Sequence, residues 1–385
     1  MTISGIVSEF NPFHNGHRHI IDKMRKESDC VVAVMSGNYV QRGEPAVFSK
    51  YLRTKAALLC GVDLVIELPS PWSAACADCF AFGAISVLQQ AGIHALYFGC
   101  EYPDIETLTA IAKADQNLDV SAKPNETFAK ARERALSEKL QFNCSEILNS
   151  PNCNLSVSYI NAKDLLGADF SLHPFQRIGT AHDSSQTNAN ISSASYLREH
   201  IENGVLFDEF VPKETVGLYK GAMVSGQYLN KQHFKLAAFL KMRAMTDFSR
   251  LPDLSEGLEN RLLKAVKCSK NYDDVINATK TKRYTEARIR RLVLSAFLEA
   301  DQQLFKKAVP YLNILGITKR GEAQIKRIAA NAKIPLIYSG KPSIPLDKES
   351  EILLNKEVVR NNIYSALLYD PHPSYEDLTN GVIKI

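Results

Sequence analysis

No stretch of this 385-residue chain stays apolar for about 18 residues, so no membrane-spanning helix is expected. The first residues lack a basic segment followed by an apolar one, so export is not expected. Repeats and low-complexity tracts are missing as well. The eight cysteines (Cys30, Cys60, Cys76, Cys79, Cys100, Cys144, Cys153 and Cys268) follow no disulfide or zinc spacing, which fits reduced thiols in a cytoplasm. Cys76-Ala-Asp-Cys79 is a CxxC without a second Cys or His pair. It lies in an Ala-rich segment, Ala74 to Ala84, and is expected on a buried helix face rather than in redox or metal chemistry. No dedicated metal ligands are expected.

What remains is an ordinary globular composition, 45% hydrophobic, long enough for two or three domains. The net charge is only +4, but it is unevenly placed. Residues 1–200 carry 17 Lys and Arg against 21 Asp and Glu; residues 201–385 carry 29 against 21. The excess gathers at Lys264, Lys267, Lys270, Lys280, Lys282, Arg283, Arg288, Arg290 and Arg291. An acidic half joined to a basic half suggests a polyanionic partner, and Tyr284 within the run could stack on a base. Lys50, Arg53 and Lys55 read as a solvated helix face.

The first hundred residues alternate strand and helix. Gly5 to Phe10, Cys30 to Met35, Asp63 to Leu68 and His94 to Phe98 read as strands, with helical patterns over 49–60 and 73–91. Continuous apolar strands joined by helices predict an α/β fold with a parallel sheet covered on both faces. Ligands of such sheets bind beyond the C-terminal strand ends, where Ser36-Gly37 and Gly99 fall. A polar helical insertion is expected at about 104–167, with its last helix over 156–167. Ser171 to Ile178 is expected to return to the sheet as its fifth strand. Beyond about 205 helices are expected near 232–246, 255–268 and 284–308. A small α/β element follows: Leu312 to Ile317, a helix near 320–332, and Ile334 to Tyr338.

One segment carries chemistry. Asn11-Pro12-Phe13-His14-Asn15-Gly16-His17 follows the first strand, and a helical pattern starts near Gly16. Helix N-termini offer unpaired N–H groups and partial positive charge to an anion. Gly16 allows close backbone approach. His14 and His17 add donors where charge grows in a transition state. Ile191-Ser192-Ser193-Ala194-Ser195-Tyr196-Leu197-Arg198 reads as a serine-rich cap feeding a second helix, another anion site.

The His-x-Gly-His core resembles the ATP motif of the HIGH nucleotidyltransferase superfamily. Within it, the chain resembles the bacterial tRNA(Met) cytidine acetate ligase family along nearly its whole length. The matching stretches run from Glu9 to His17, Met35 to Pro45 (with Gln41-Arg42-Gly43-Glu44-Pro45) and Gly61 to Pro69. Shorter ones are Tyr97-Phe98-Gly99, Ser150-Pro151-Asn152, Arg177-Ile178-Gly179 and Lys282-Arg283-Tyr284-Thr285. The chain departs from the family at Cys153-Asn154-Leu155-Ser156, where a second Asn and Ile-Leu-Gly are usual. It departs again at Ser192-Ser193-Ala194-Ser195, where Ser-Ala-Thr is usual.

The resemblance implies a Rossmann-like catalytic domain over 1–204 and a mainly helical tRNA-binding domain over 205–385. It implies ATP contacts from Val7, Ser8, Glu9, Phe10, Asn11, Pro12, Phe13, His14, Asn15, Gly16, His17, Arg18, His19 and Ile20. Gly99, Asn152, Arg177, Ser192 and Ser193 complete that set, with His14 and His17 catalytic. Arg42, Lys282, Arg283, Arg288, Arg290 and Arg291 are expected on tRNA. The implied reaction converts acetate and ATP to acetyl-adenylate, with Mg²⁺ on the phosphates. The acetyl group then passes to the exocyclic amine of the wobble cytidine of elongator tRNA(Met), giving N4-acetylcytidine. Two alternatives stay open at this point: a small-molecule adenylyltransferase of the same superfamily, and a non-catalytic RNA-binding protein.

Overall fold

The computed structural model describes residues 2–121, 126–177, 192–205, 207–254, 257–282, 284–373 and 376–385. The chain opens with Ile3–Ser8 (β1), Asn15–Glu27 (α1) and Cys30–Ser36 (β2). A small hairpin of Tyr39–Val40 (β3) and Glu44–Pro45 (β4) precedes Lys50–Leu59 (α2) and Leu64–Leu68 (β5). Ser70–Ser73 (α3), Ala77–Gln90 (α4) and Ala95–Cys100 (β6) follow. Next come Ile105–Gln116 (α5), Phe128–Leu140 (α6), Ser145–Leu148 (α7), Pro151–Leu166 (α8), Ser171–Gln176 (β7) and Ala194–Glu202 (α9).

β1, β2, β5, β6 and β7 pair in parallel in the order β5-β2-β1-β6-β7. Period two explains how the sheet is buried on both faces. Cys30, Val32 and Val34 enter one apolar cluster with α4, α5 and α8, while Val31, Ala33 and Met35 enter the opposite one with α1 and α2. The path runs from β1 out to β2 and β5, then crosses back to β6 on the far side of β1. That reversal opens a crevice beyond the C-terminal ends of β1 and β6, the usual ligand position in such sheets.

The second half adds Lys213–Val224 (α10), Lys231–Ala244 (α11), Leu258–Cys268 (α12), Tyr272–Thr279 (α13) and Glu286–Phe297 (α14). α11 to α14 bury a third apolar cluster of their own, joined by Tyr39 from β3. Leu312–Ile317 (β8), Lys319–Asn331 (α15), Leu336–Tyr338 (β9), Lys341–Pro342 (β10), Lys348–Ala366 (α16), Glu376–Thr379 (α17) and Ile383–Lys384 (β11) complete the chain.

Several expectations change here. The late α/β element does not make its own sheet: β8 pairs antiparallel with β5 and carries β9 and β11, so one sheet of nine strands crosses residue 204. Its apolar residues Leu312 and Ile314 join the cluster that β2 and β5 already form. The helix expected over 156–167 starts at Pro151, because a proline in the first turn suits helix geometry. The pattern over 284–308 breaks after Phe297, where Glu299 takes φ 51°. β1 stops at Ser8, and Phe10 turns the chain out of the sheet with φ 44°, a conformation bulky residues rarely adopt. Cys76 caps α4 rather than lying within it, and it and Cys79 are half-buried. Ile178 lies outside the described residues.

Lys50 and Arg53 are not a solvated face. Both are completely buried, and only Lys55 of that trio is exposed. Lys50 Nζ lies 2.9 Å from Glu67 Oε2 and 2.6 Å from Asp377 Oδ1, tying α2 to β5 and α17. Arg53 donates to the carbonyls of Glu9 (2.7 Å), Ser36 (2.9 Å), Phe48 (2.9 Å) and Gly37. It thereby holds the loops that leave β1 and β2. The expected base-stacking Tyr284 is also buried, with the Arg288 guanidinium 5.5 Å from its ring centre.

Candidate nucleotide site

The turn between β1 and α1 is held by two histidines capping each other's backbone. His14 is the N-cap in an extended conformation, and its Nδ1 accepts the Gly16 N–H at 3.0 Å. Nδ1 of His17 accepts the His14 N–H at 3.3 Å. The rings stack with centres 3.9 Å apart, and Phe10 and Phe13 pack against His17. An Nδ1 that accepts a hydrogen bond carries no proton, so each neutral ring holds its proton on Nε2. Both rings therefore keep one N–H donor for a ligand.

The protonation state follows from the surroundings. Burial, followed by the charges of Arg177 and Arg198, pushes His14 down to about 3. Burial, His14 and Arg177 hold His17 well below its ordinary value. Both are neutral donors at physiological pH. Positive charge comes instead from arginines. Arg198 is 6% exposed and donates to the Asn11 carbonyl (3.0 Å) and to Ser195 Oγ (3.0 Å), with Glu44 3.5 Å away. Loss of solvent lowers both Arg177 and Arg198; Glu101 raises the first and Glu44 the second, while the nearby Arg42 charge lowers both. Three guanidiniums thus gather beside two neutral imidazoles, with Glu44 and Glu101 as partial counter-charges. Among the described residues, Asn11 Nδ2 and Ser192 Oγ are buried without a hydrogen-bond partner.

The other expected contacts divide by place. Gly99 lies beneath Arg177; a Cβ there would stand 3.2 Å from Arg177 Cγ and 3.4 Å from Phe175 Cζ. Asn152 Nδ2 donates to Glu101, just beyond β6, and Ser193 Oγ caps α9 by accepting the Tyr196 N–H at 3.2 Å. Ser8 Oγ accepts the Phe10 N–H, and Glu9 Oε1 accepts the Gln41 N–H at 2.9 Å, linking the motif to the β3–β4 hairpin. Phe10, Pro12 and Phe13 are buried, and Val7 and Ile20 pack on the two apolar clusters. Asn15 Nδ2 reaches the Glu209 carbonyl. Arg18 turns to Asp22 (2.8 Å) and Glu214 (3.1 Å), toward α10, and His19 is exposed on α1.

Gly43 seats the hairpin on the basic helix. It has φ +82°, and a Cβ there would stand 2.6 Å from backbone atoms of Arg290 and Arg291. Arg42 and the residues of α14 are thus neighbours. Their charges are partly spent within the protein: Arg290 pairs with Glu286 (2.7 Å), and Arg288 (3.2 Å) and Arg291 (3.8 Å) with Asp253. Lys282 is exposed, and Arg283 lies outside the described residues. Sequence reading missed Arg198 as a site residue. Its signal was its place one turn into the helix after the serine-rich cap.

A strand–turn–helix that presents N–H donors and guanidiniums at a sheet's switch point defines a nucleotide-handling protein of the nucleotidyltransferase class. The family model described as HIGH Nucleotidyl Transferase matches residues 1–378. The chain is 35% identical to the tRNA(Met) cytidine acetate ligase of Clostridium kluyveri, over 96% of this chain and 100% of that one. It is 32% identical to the enzyme of the same name from Thermoanaerobacter sp., over 100% of both chains. Among solved structures, apo Thermotoga maritima TmcAL superposes with a TM-score of 0.90 at 28% identity over 100% of both chains. The same protein with alpha-thio ATP bound superposes at 0.87. The chain belongs to the tRNA(Met) cytidine acetate ligase family of HIGH nucleotidyl transferases.

Proposed function

We propose that this protein activates acetate with ATP and transfers the acetyl group to the wobble cytidine of elongator tRNA(Met), forming N4-acetylcytidine with release of AMP and pyrophosphate. The observation that carries this reading is the reciprocal histidine cap, which leaves two neutral Nε2–H donors facing a crevice crowded by Arg42, Arg177 and Arg198. The acetate carboxylate attacks the α-phosphate, and the bond to pyrophosphate breaks. No protein nucleophile is needed, because the substrate itself attacks. His14 and His17 donate to phosphate oxygens as charge builds, while Arg177 and Arg198 hold the polyphosphate. The cytidine amine then attacks the acetyl carbonyl and AMP leaves.

Mg²⁺ fits as a companion of the phosphates rather than a resident ion. The nearby carboxylates are engaged, Glu9 with the Gln41 N–H and Glu44 beside Arg198. Bound there, it would neutralise phosphate charge. Arg42 on its hairpin, with Lys282, Arg283, Arg288, Arg290 and Arg291, guides the tRNA from the helices α11 to α14 toward the His14–His17 turn. In this reading the protein works in the cytoplasm, where its tRNA is; among the described residues no helix is long and apolar enough to cross a membrane.

The test is incubation with ATP, labelled acetate and an unmodified elongator tRNA(Met) transcript, followed by nucleoside analysis. Label in acetylated cytidine at the wobble position is the expected result. Pyrophosphate release with another acceptor would point to a small-molecule adenylyltransferase. Neither product would leave a non-catalytic RNA-binding protein.

A further inference from the structure

We propose that Cys100, Glu101 and Cys153 form a binding site for one thiophilic divalent cation, zinc in the first instance. β6 ends at Cys100, and Cys153 lies in the first turn of α8. Both thiols are completely buried and their sulfurs are 3.0 Å apart. Glu101 Oε2 is 3.4 Å from Cys153 Sγ, and the three ligand atoms lie within 4.8 Å of one another.

Hydrogen bonds orient all three groups: the Cys100 thiol donates to the Tyr102 carbonyl at 3.2 Å and the Cys153 thiol to Glu101. The Tyr102 N–H donates to Cys153 Sγ at 3.2 Å, and the Cys153 N–H donates to Glu101 Oε2 at 3.1 Å. Asn152 Nδ2 donates to the other carboxylate oxygen, and Gln176 Nε2 to the Glu101 carbonyl at 3.0 Å. Oriented outer donors of this kind accompany metal ligands. Two sulfurs and one oxygen suit zinc and exclude magnesium or calcium, which take oxygen ligands. Zinc–sulfur bonds of about 2.3 Å in a tetrahedron put sulfurs about 3.8 Å apart, so the pair needs only a small side-chain rotation. A disulfide would instead require closure to about 2.05 Å and would leave the carboxylate against uncharged sulfur. A cation uses all three groups, and displaces the thiol protons as it binds.

The site lies behind the nucleotide crevice. The Arg177 N–H donates to the Cys100 carbonyl at 3.1 Å, and Gly99 and Asn152 are chain neighbours of the ligands. A bound ion would lock the end of β6 to the start of α8, the wall that carries Gly99, Asn152 and Arg177. The fourth coordination position falls to water.

Full-length protein, stripped with a chelator and kept reduced, is titrated with Co²⁺ and then Zn²⁺. One equivalent of Co²⁺ per chain should give a thiolate-to-cobalt charge-transfer absorption that Zn²⁺ bleaches, and Zn²⁺ should raise the thermal midpoint. The absorption should vanish in Cys100→Ser and Cys153→Ser and persist in Cys76→Ala/Cys79→Ala. Glu101→Gln keeps an acceptor for its neighbours and should fold even where the serine variants do not. It should weaken Co²⁺ binding by about tenfold or more. No absorption in the wild type would overturn the proposal. So would an absorption that survives Cys153→Ser, depends on Cys76 and Cys79, or is unmoved in Glu101→Gln. An intact mass two hydrogens short, with Cys100 and Cys153 joined, would replace it with a disulfide.

Discussion

Arg198 and Arg290 both sit on helices, yet they live in different electrostatic worlds. Arg198 is buried at the sheet edge, aimed by the Asn11 carbonyl and Ser195, with Glu44 3.5 Å away and the Arg42 charge nearby. The side chain of Arg290 is 45% exposed and is paired to Glu286 on its own helix. A buried, backbone-anchored charge keeps its position and its field. An exposed, paired one is screened over about 8–10 Å in ordinary salt. The charges around the His14–His17 turn are therefore fixed in place. Any attraction exerted by the α14 surface would fall as ionic strength rises.

The largest effect that separates the two regions is expected from Lys50→Met. It strands Glu67 and Asp377 in the interior, and should cost about 3–5 kcal/mol in thermal or denaturant unfolding. A loss no larger than that of an exposed lysine would erase the distinction between buried and surface charge. Next is His17→Ala, which should slow acetyl-adenylate formation roughly a hundredfold through loss of one donor while tRNA affinity holds. Near-wild-type pyrophosphate release from that variant would remove the histidine from the chemistry.

Replacing Arg283, Arg290 and Arg291 together with alanine should act in the opposite sense. tRNA binding should weaken, and the slope of log K against log salt should flatten by roughly 0.7–0.9 for each phosphate left without its cation. Acetyl-adenylate formation should continue. Because Arg290 and Arg291 already pair with Glu286 and Asp253, the slope should change by less than three such steps. An unchanged affinity would reduce the basic surface to a solvated face.

The smallest effect is a silence. His14 takes up a proton only near 3, whereas an unfolded chain takes one up near 6.5. Its contribution to stability is therefore fully present above pH 6.5 and is lost as the pH falls toward 3. His17 follows the same direction. Ring resonances of these two histidines should stay in the neutral position from pH 8 to 5. Titration of His14 or His17 near pH 6.5 would mean that the imidazoles are open to water, and the crevice would then resemble the surface it is contrasted with.

Much of the catalytic edge was legible because it is local. Strand, turn and helix from Ile3 to Glu27 follow from an apolar run, a proline and a glycine. The alternation of β2 between two apolar clusters follows from period two alone. Serine caps at Ser49 and Ser193 are likewise written in adjacent residues. The same local signals, with the rule that ligands sit beyond strand ends, are what place the proposed nucleotide site there.

The errors share one cause, which is contact between distant residues. Lys50, Arg53 and Lys55 look alike on a helical pattern. Only the arrival of α17, with Asp377, and of the carbonyls ending β1 and β2 makes two of them internal. Tyr284 looked available until Arg288 and the helical core covered it. The antiparallel pairing of β8 with β5 joins residues some 250 positions apart, a partnership that no window of sequence displays. Cys100 and Cys153 belong to one cluster only because α8 begins beside the end of β6.

The sequence by itself determined the motif, the alternating strands, the helix caps and the charge imbalance, since each depends on neighbours along the chain. The tertiary structure decided which cations lose their water, which histidine nitrogens keep a proton, and which sulfurs meet. Those outcomes depend on desolvation and on geometry between elements, and both exist only once the sheet and its helices have packed.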